Sequence, residues 1–397
     1  PKYHSFFKST NPYNVYYNFL INIIFCFRFL PLFFTLFLCF MTLLPILSSP
    51  RISSSRARNE TLTDNHGRPI RYLRIAVTDR CNLRCAYCMP ENMRFAPTKE
   101  LLSDEEILRL VSVCAALGIR KVRVTGGEPF VRRGIIDVLR GVAETNGVEE
   151  VHITTNGVRT APFIGRLAEC GVRSVNLSVD AFDRARFFAL TRRDEYPAVE
   201  ATFTALLESG IPLNVNAVVM DGKNDRDIIP MCLKTKDHAF SMRFIEEMPF
   251  NGTSADDDEG FKGDKQKRLR WDYAAILSEI RSAFPDLQAL GRAKEGATSE
   301  LFAVPGHKGT IGIIAGYSRT FCGACNRIRI TAKGMLKTCL YDNGVLDLKS
   351  LLRSGASDDE LRSAIADCVQ RRFANGWEAE EATHKHTSFE SMSEIGG

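Results

Sequence analysis

The 397-residue chain has no acidic residue in its first 59 positions, no G-x-x-x-x-G-K-S/T loop, no internal repeat and, beyond residue 59, no excess of either charge. Each absence excludes something. The leader takes six basic residues (Lys2, Lys8, Arg28, Arg51, Arg56 and Arg58), leaving 46 basic against 47 acidic residues of the total 52 and 47. A body so balanced does not bind nucleic acid by bulk charge; a polyanion held by a few placed arginines stays open. Without a Walker loop, phosphates are not cradled on a glycine-rich turn. Without repeats, the chain is not a solenoid.

What is present begins with an apolar run at residues 19–47. It is long enough to span a bilayer, but Arg28 and Pro31 interrupt it. Met41 is the sole Met before Met89, and the stretch from it, MTLLPILSSPRISSSRARN, has the Ser- and Arg-rich, acid-free composition of an organelle presequence. Three readings of residues 1–59 stand: a membrane anchor through 19–47, a secretory signal, or an over-extended reading frame around a mitochondrial presequence. The last is preferred and places the protein in the mitochondrial matrix.

The body is expected to contain two parts, 60–285 and 286–397. From residue 71 strands and helices alternate: strands at 71–77, 120–127, 149–157, 172–180, 211–220 and 239–249, with helices at 103–118, 131–145, 160–170, 183–190, 196–209 and 225–237. Six β units with helical crossovers imply an α/β fold with a parallel sheet, read here as an incomplete (β/α)6 barrel. A helix is predicted at 271–284, a Gly-spaced strand at 306–316, helix at 345–375, and a polar, flexible end at 376–397. Residues 250–270 break the pattern with an acidic and then a basic run and read as a solvated loop.

Chemistry-bearing residues follow the strands. Three Cys follow the first, TGGEP (125–129) the second, TTNG (154–157) the third, SVD (178–180) the fourth and EEMP (246–249) the sixth. In parallel α/β folds the site forms at this carboxyl edge.

Six of the 12 cysteines fall in two sets, Cys81-x3-Cys85-x2-Cys88 and Cys322-x2-Cys325-x13-Cys339. Cys114, Cys170, Cys232 and Cys368 sit singly in apolar contexts and read as small buried hydrophobes. Three thiolates within eight residues and no fourth ligand nearby suit a [4Fe–4S] cluster with one open iron, against zinc, which is usually four-coordinate. Zinc is a stronger rival at the second set, where His307, His384 or His386 could complete a site. Arg327 and Arg329, two residues apart beside those thiolates, would share one strand face, and paired guanidiniums suit bidentate phosphate recognition. Arg74 and Arg123 share that parity on the first two strands.

TDRCNLRCAYCMP (78–90) followed by RVTGGEP (123–129) resembles the radical S-adenosylmethionine superfamily. Adding TTNG (154–157), RFIEEMPF (243–250), FCGACNRIRI (321–330), Cys339 and the terminal Gly396-Gly397 narrows the resemblance to its GTP 3′,8-cyclase branch, which acts in molybdenum cofactor biosynthesis. The resemblance covers roughly residues 60–350 and the last two. It implies two [4Fe–4S] clusters, a C-terminal iron–sulfur extension closing the barrel mouth, and S-adenosylmethionine on the first cluster. It places Tyr87, Gly126, Gly127, Ser178 and Met248 at the cofactor, and Arg74, Arg123, Thr154, Asn214, Arg327, Ile328 and Arg329 at GTP, with Arg74, Arg327 and Arg329 also catalytic.

The implied reaction abstracts the ribose 3′ hydrogen, joins C3′ to C8 and yields 3′,8-cyclo-7,8-dihydro-GTP. The implied partners are the downstream cyclic pyranopterin monophosphate synthase and a second copy of the chain. The Gly-Gly tail is expected to reach into the site. One departure is Asn214, where the family carries a Lys that contacts GTP. Two other readings stay open: a peptide-modifying radical enzyme with an auxiliary cluster, and a non-catalytic metal-binding module.

Overall fold

The computed structural model describes residues 61–250, 269–294, 296–383 and 390–396. The leader, most of the 250–270 stretch, His384, His386 and Gly397 therefore lie outside the described residues. The described residues form one compact unit.

Strands β1 (Tyr72–Ala76), β2 (Lys121–Thr125), β3 (Glu150–Thr155), β4 (Val172–Ser178), β5 (Leu213–Val219) and β6 (Ser241–Glu246) are joined by α1 (Asp104–Ala116), α2 (Ile135–Glu144), α3 (Ile164–Glu169), α4 (Arg184–Thr191) with α5 (Tyr196–Glu208), and α6 (Ile228–Leu233). After α7 (Tyr273–Ala283) come β7 (Gln288–Gly291), β8 (Ser299–Ala303), β9 (Thr310–Ile314), β10 (Arg327–Ile330), β11 (Met335–Lys337) and β12 (Leu346–Asp347). The chain closes with α8 (Leu348–Arg353), α9 (Asp358–Val369), α10 (Gly376–Thr383) and α11 (Met392–Ile395). All twelve strands form one open sheet, ordered β12-β11-β10-β1-β2-β3-β4-β5-β6-β9-β8-β7.

The eight central strands, β10 through β9 in that order, all pair in parallel. The C-terminal residues thus flank the six predicted strands on both sides within the same sheet. The antiparallel strands β7, β8, β11 and β12 were not among the predicted elements; they are two to five residues long.

Local signals explain the helices. α1 begins at a reciprocal box in which Ser103 accepts from Glu106 N (3.1 Å) and Glu106 accepts from Ser103 N (2.8 Å). The chain leaves it through Gly118, at φ +95°. Its buried face, Ile107, Leu110, Val111 and Cys114, lies on the sheet. The single helix predicted over 345–375 is two: Gly355 at φ +89° breaks it, and Ser357 caps α9 with a second box to Glu360. The end predicted to be flexible instead carries α10 and α11, because Ala379 and Ile395 pack with Phe250 and Tyr341 in a small apolar cluster.

Parallel strands covered by helices on both faces are apolar throughout. These strands instead alternate. One face carries Leu73, Ile75, Val122, Val124, Ile153, Val175, Leu177, Val215, Met242, Phe244, Ile311, Ile313, Ile328 and Ile330, all in the main core. The other is polar and lines a cavity of about 960 Å³. The four single cysteines, Cys114, Cys170, Cys232 and Cys368, are buried in the core as expected.

Candidate active site

Register places the polar face. Arg74 on β1 stands beside Arg329 on β10 and Arg123 on β2. Arg123 is next to His152, and His152 next to Ser174. One step down, Tyr72 stands between Arg327 and Lys121. On the other half, Thr154 pairs with Asn176, Asn176 with Asn214, Ser178 with Asn216, and Asn216 with Arg243. All of these line the one cavity, together with Cys81, Cys85, Cys88, Tyr87, Gly126, Gly127 and Met248.

Ile328 does not line it. Lying between two inward arginines on a strand, its side chain must face the other way, and it is buried in the core, so only its backbone is available to a ligand. Sequence reasoning missed Tyr72, Lys121, His152, Asn176, Asn216 and Arg243. The period-2 parity that selects Arg74 and Arg123 selects these too, had it been carried across every strand.

The cationic end is under-compensated. Among the described residues no carboxylate is within ion-pair distance of Arg74, Arg123, Arg243, Arg327 or Arg329, and the buried Nε atoms of Arg74 and Arg327 have no hydrogen-bond partner. Burial, then the neighbouring guanidiniums, draws Arg329 down to about 9 and Arg243 to about 10; Arg123 is lowered for the same reasons. The Tyr72 hydroxyl accepts from Arg123 Nε (2.7 Å). Burial opposes its ionisation, but Arg123, Arg74 and Lys121 outweigh burial and pull the phenol to about 6. Unpaired buried charge is unfavourable by several kcal/mol per ion, so this row is built for an incoming polyanion.

The first cysteine loop follows β1 and is fixed by backbone. Gly127 N donates to Thr78 O (2.7 Å) and Glu128 N to Arg80 O (2.8 Å). A Cβ on Gly126 would stand 2.4 Å from Thr78 O, and one on Gly127 2.3 Å from Arg80 O. The two glycines are therefore demanded by the turn's packing against the 78–80 backbone, a reason separate from any ligand. Glu128, completely buried, accepts from Asn156 N (2.6 Å), Thr155 Oγ1 (2.8 Å) and Phe130 N (3.0 Å). Burial raises it to about 7. Asn156 Nδ2 reaches Cys81 Sγ at 3.6 Å.

Burial, then Glu128, pushes the Cys81 thiol up to about 11. Cys85 and Cys88 rise further: after burial, Asp180, Cys88 and Cys81 add to the Cys85 shift, and Cys81 and Asp180 to that of Cys88. Half-buried thiols so crowded that Cys81 disfavours ionisation of both Cys85 and Cys88 make sense where a metal accepts the thiolates. Tyr87, beside them, shares a hydrogen bond with Asp180.

At the second set, Cys322 opens a tight turn with Cys325 N donating to Cys322 O (3.1 Å). Asp342 Oδ2 accepts from Cys339 N (2.7 Å) and Thr338 N (2.8 Å). Phe321, Asn326 and Leu340, sequence neighbours of these cysteines, line the cavity.

Among the described residues no three His, Cys, Asp or Glu side chains converge tightly enough to grip a single metal ion. Three thiols in each set are the soft donors that an iron–sulfur cluster takes. His307 does not complete a zinc site. It bonds to Thr235 Oγ1 (2.9 Å) and stacks edge-on against Phe284.

The tail reaches the same place. Gly396 O accepts from Arg329 Nη1 (2.9 Å), and Ser391 Oγ donates to Cys88 O (2.8 Å). Among the described residues no helix is long and apolar enough to cross a membrane.

Residues 75–233 match the Radical SAM superfamily and residues 240–376 match Molybdenum Cofactor Synthesis C. The chain is 38% identical over 313 residues to molybdenum cofactor biosynthesis protein 1 of Bos taurus, which covers 78% of this chain but 48% of that protein, so the chain spans about half the length of this relative. It is 37% identical over 318 residues to the mitochondrial GTP 3′,8-cyclase of Arabidopsis thaliana, covering 80% of this chain and 79% of that one. The crystal structure of SuiB from Streptococcus suis has TM-score 0.50 at 15% identity, over 78% of this chain and 72% of that one; this likeness concerns the fold alone.

Proposed function

The chain belongs to the GTP 3′,8-cyclase family within the radical SAM superfamily, and on that premise we propose that it converts GTP to 3′,8-cyclo-7,8-dihydro-GTP, the first step of molybdenum cofactor biosynthesis. The observation that carries the reading is the row Arg329, Arg74 and Arg123, with Arg329 and Arg123 buried and none paired to a carboxylate among the described residues, opening on the same cavity as Cys81, Cys85 and Cys88. In this reading residues 60–285 are the partial barrel and 286–397 the substrate-cluster region that closes its mouth. Cys81, Cys85 and Cys88 hold one [4Fe–4S] cluster, and Cys322, Cys325 and Cys339 a second.

When bound, the first cluster with S-adenosylmethionine supplies the 5′-deoxyadenosyl radical that takes the ribose 3′ hydrogen. The chain's own residues do the rest. Tyr87, Gly127, Ser178 and Met248 hold the cofactor's adenosyl and methionine parts. Arg74, Arg123, Arg327 and Arg329 neutralise the triphosphate and fix the ribose against the cofactor; Thr154, Asn214 and the Ile328 backbone add directed hydrogen bonds. Fixing C3′ near both the cofactor and C8 converts two encounters into intramolecular steps. Arg74, Arg327 and Arg329 would also stabilise charge on the guanine as the cyclised radical takes up one electron, from an external one-electron donor such as the dithionite of the test below, and one proton.

The family resemblance and the presequence-like composition near Met41 support a mitochondrial matrix enzyme. The resemblance alone supports a homodimer that hands its product to cyclic pyranopterin monophosphate synthase.

The test is anaerobic reconstitution with iron and sulfide, then dithionite and S-adenosylmethionine with and without GTP, with mass spectrometry of both nucleosides. GTP-dependent deoxyadenosine with a matching cyclised nucleotide is expected. Deoxyadenosine formation that ignores GTP would refute the substrate, leaving a peptide-modifying radical enzyme as the reading. Its absence from fully loaded protein would refute the enzyme class and favour a metal-binding module.

A further inference from the structure

Beside the second cysteine set lies a guanidinium that the proposed reaction does not use. Arg372, just past α9, is 4% exposed, and every one of its N–H groups is engaged. Nε donates to Thr338 O (2.8 Å). Nη1 donates to Cys325 O (2.9 Å) and Asp64 Oδ2 (3.2 Å). Nη2 donates to Arg327 O (3.1 Å) and to Cys325 Sγ (2.9 Å). Five directed contacts exhaust the five donors of a guanidinium, so its orientation is fixed by the fold and not by the thiol.

The fixing continues behind it. The Asp64 carboxylate, with no exposed surface, also accepts from Arg68 Nε (2.7 Å) and from the backbone N–H groups of Arg68 (2.9 Å) and His66 (3.0 Å). Arg68 in turn donates to Cys322 O (3.0 Å) and Phe373 O (2.9 Å). One buried carboxylate therefore orders two guanidiniums, and each grips the loop of one second-set cysteine.

We propose that Arg372 is a positioning residue for the second cluster, holding Cys325 as its ligand through a charged N–H···S bond and setting that cluster's reduction potential, with Asp64 and Arg68 as its support. The inference rests on the second three-cysteine set holding a cluster, as in the reading above. A donor aimed at a ligating sulfur stabilises the more negative, reduced state and raises the potential. Arg is suited to this because its fork can hold carbonyls and sulfur at once; a Lys ammonium cannot span them.

The test isolates the second cluster by replacing Cys81, Cys85 and Cys88 together with Ala, then measures iron content and the midpoint by electron paramagnetic resonance. Arg372→Met, Arg372→Lys and Asp64→Asn are added to that background. Arg372→Met is expected to keep about four irons and to lose roughly tenfold in the reduction equilibrium, about 59 mV lower for one electron. Arg372→Lys should recover part of that shift, and Asp64→Asn should move the midpoint the same way but less. Loss of iron from the Met but not the Lys variant also supports the charged contact. No iron in the parent overturns the two-cluster reading and this inference with it. Iron retained with an unmoved midpoint in Arg372→Met overturns the inference alone, as does equal iron loss from Met and Lys variants with Asp64→Asn unmoved.

Discussion

Gly396→Ala tests whether the tail is part of the site. Gly396 sits at φ +83°, where an Ala is strained by ~1–2 kcal/mol. Its new Cβ would stand 2.7 Å from Thr125 Oγ1 and 2.9 Å from Ala76 Cβ. Neither neighbour can retreat: both are 1% exposed, and the Thr125 hydroxyl donates to Ile75 O (3.3 Å). Overpacking of this kind adds ~1–3 kcal/mol. Together the two effects amount to about 3 kcal/mol, or roughly 100-fold against the docked tail.

The displacement should be confined to the last residues, because Lys333–Glu394 (3.0 Å) and the Lys337–Glu390 ion pair hold the preceding ones. Arg329 then loses the acceptor that orients it. The assay compares cyclised nucleotide, deoxyadenosine and thermal unfolding for wild type and variant at equal iron loading. Product formation should fall ~10–100-fold, as expected if docking limits turnover, with the unfolding temperature nearly unchanged, since undocking is a local opening. Product formation within twofold of wild type would refute the argument. A large drop in unfolding temperature would instead make the tail a structural staple.

Much of the fold was legible because one pattern repeats. Strands β1 to β6 were readable from short apolar runs between turn residues, and α1 from Ser103, Glu106 and Gly118. What was not legible depends on partners distant in sequence. β10 pairs in parallel with β1 and so turns Arg327 and Arg329 to the same cavity as Tyr72 and Arg74, a pairing across more than 250 residues that no local period announces. The tail read as flexible because MSEIGG has few apolar residues, yet Ile395 is buried beneath Phe250 and Tyr341. At the site, motifs singled out the cysteines, Arg123, Arg327 and Arg329, and strand parity added Arg74, whereas Lys121 and His152 belong to no motif and emerge only from register; Arg243 opens the RFIEEMPF motif, but only register shows that it faces the cavity. Ile328 shows the converse: a motif carries it into the candidate list, and strand alternation turns its side chain to the core.

Asn214, whose Nδ2 donates to Asn176 Oδ1 (3.0 Å), lacks the charge its family position carries. Asn214→Lys should strengthen GTP binding by ~1–2 kcal/mol, the usual gain for a charged hydrogen bond, read as a lower KM; an unchanged KM would remove Asn214 from the substrate site. Cys81→Ala should abolish deoxyadenosine formation and leave the second set's iron in place, and persistence of that product would dismiss the first-cluster assignment. His152 supplies a pH dependence. Burial, then Arg123 and Lys121, holds its imidazole down to about 3, while it bonds to Ser174 Oγ (2.6 Å) and Glu150 Oε2 (3.0 Å). Its folded value lies below the unfolded one of 6.5, so between those limits the unfolded chain binds the extra proton. Stability must then rise with pH across that window and fall on acidification, by on the order of 1 kcal/mol per pH unit at the steepest. Glu150, lowered to about 2 by His152 and nearby lysines against the pull of burial, acts in the same direction below its own unfolded value. His152→Asn, uncharged throughout, should flatten the urea-midpoint slope between pH 6.5 and 5, where Glu150 contributes little. An equally steep slope in the variant would mean that His152 is protonated in the folded state, and that the arginine row tolerates one more cation than its geometry allows.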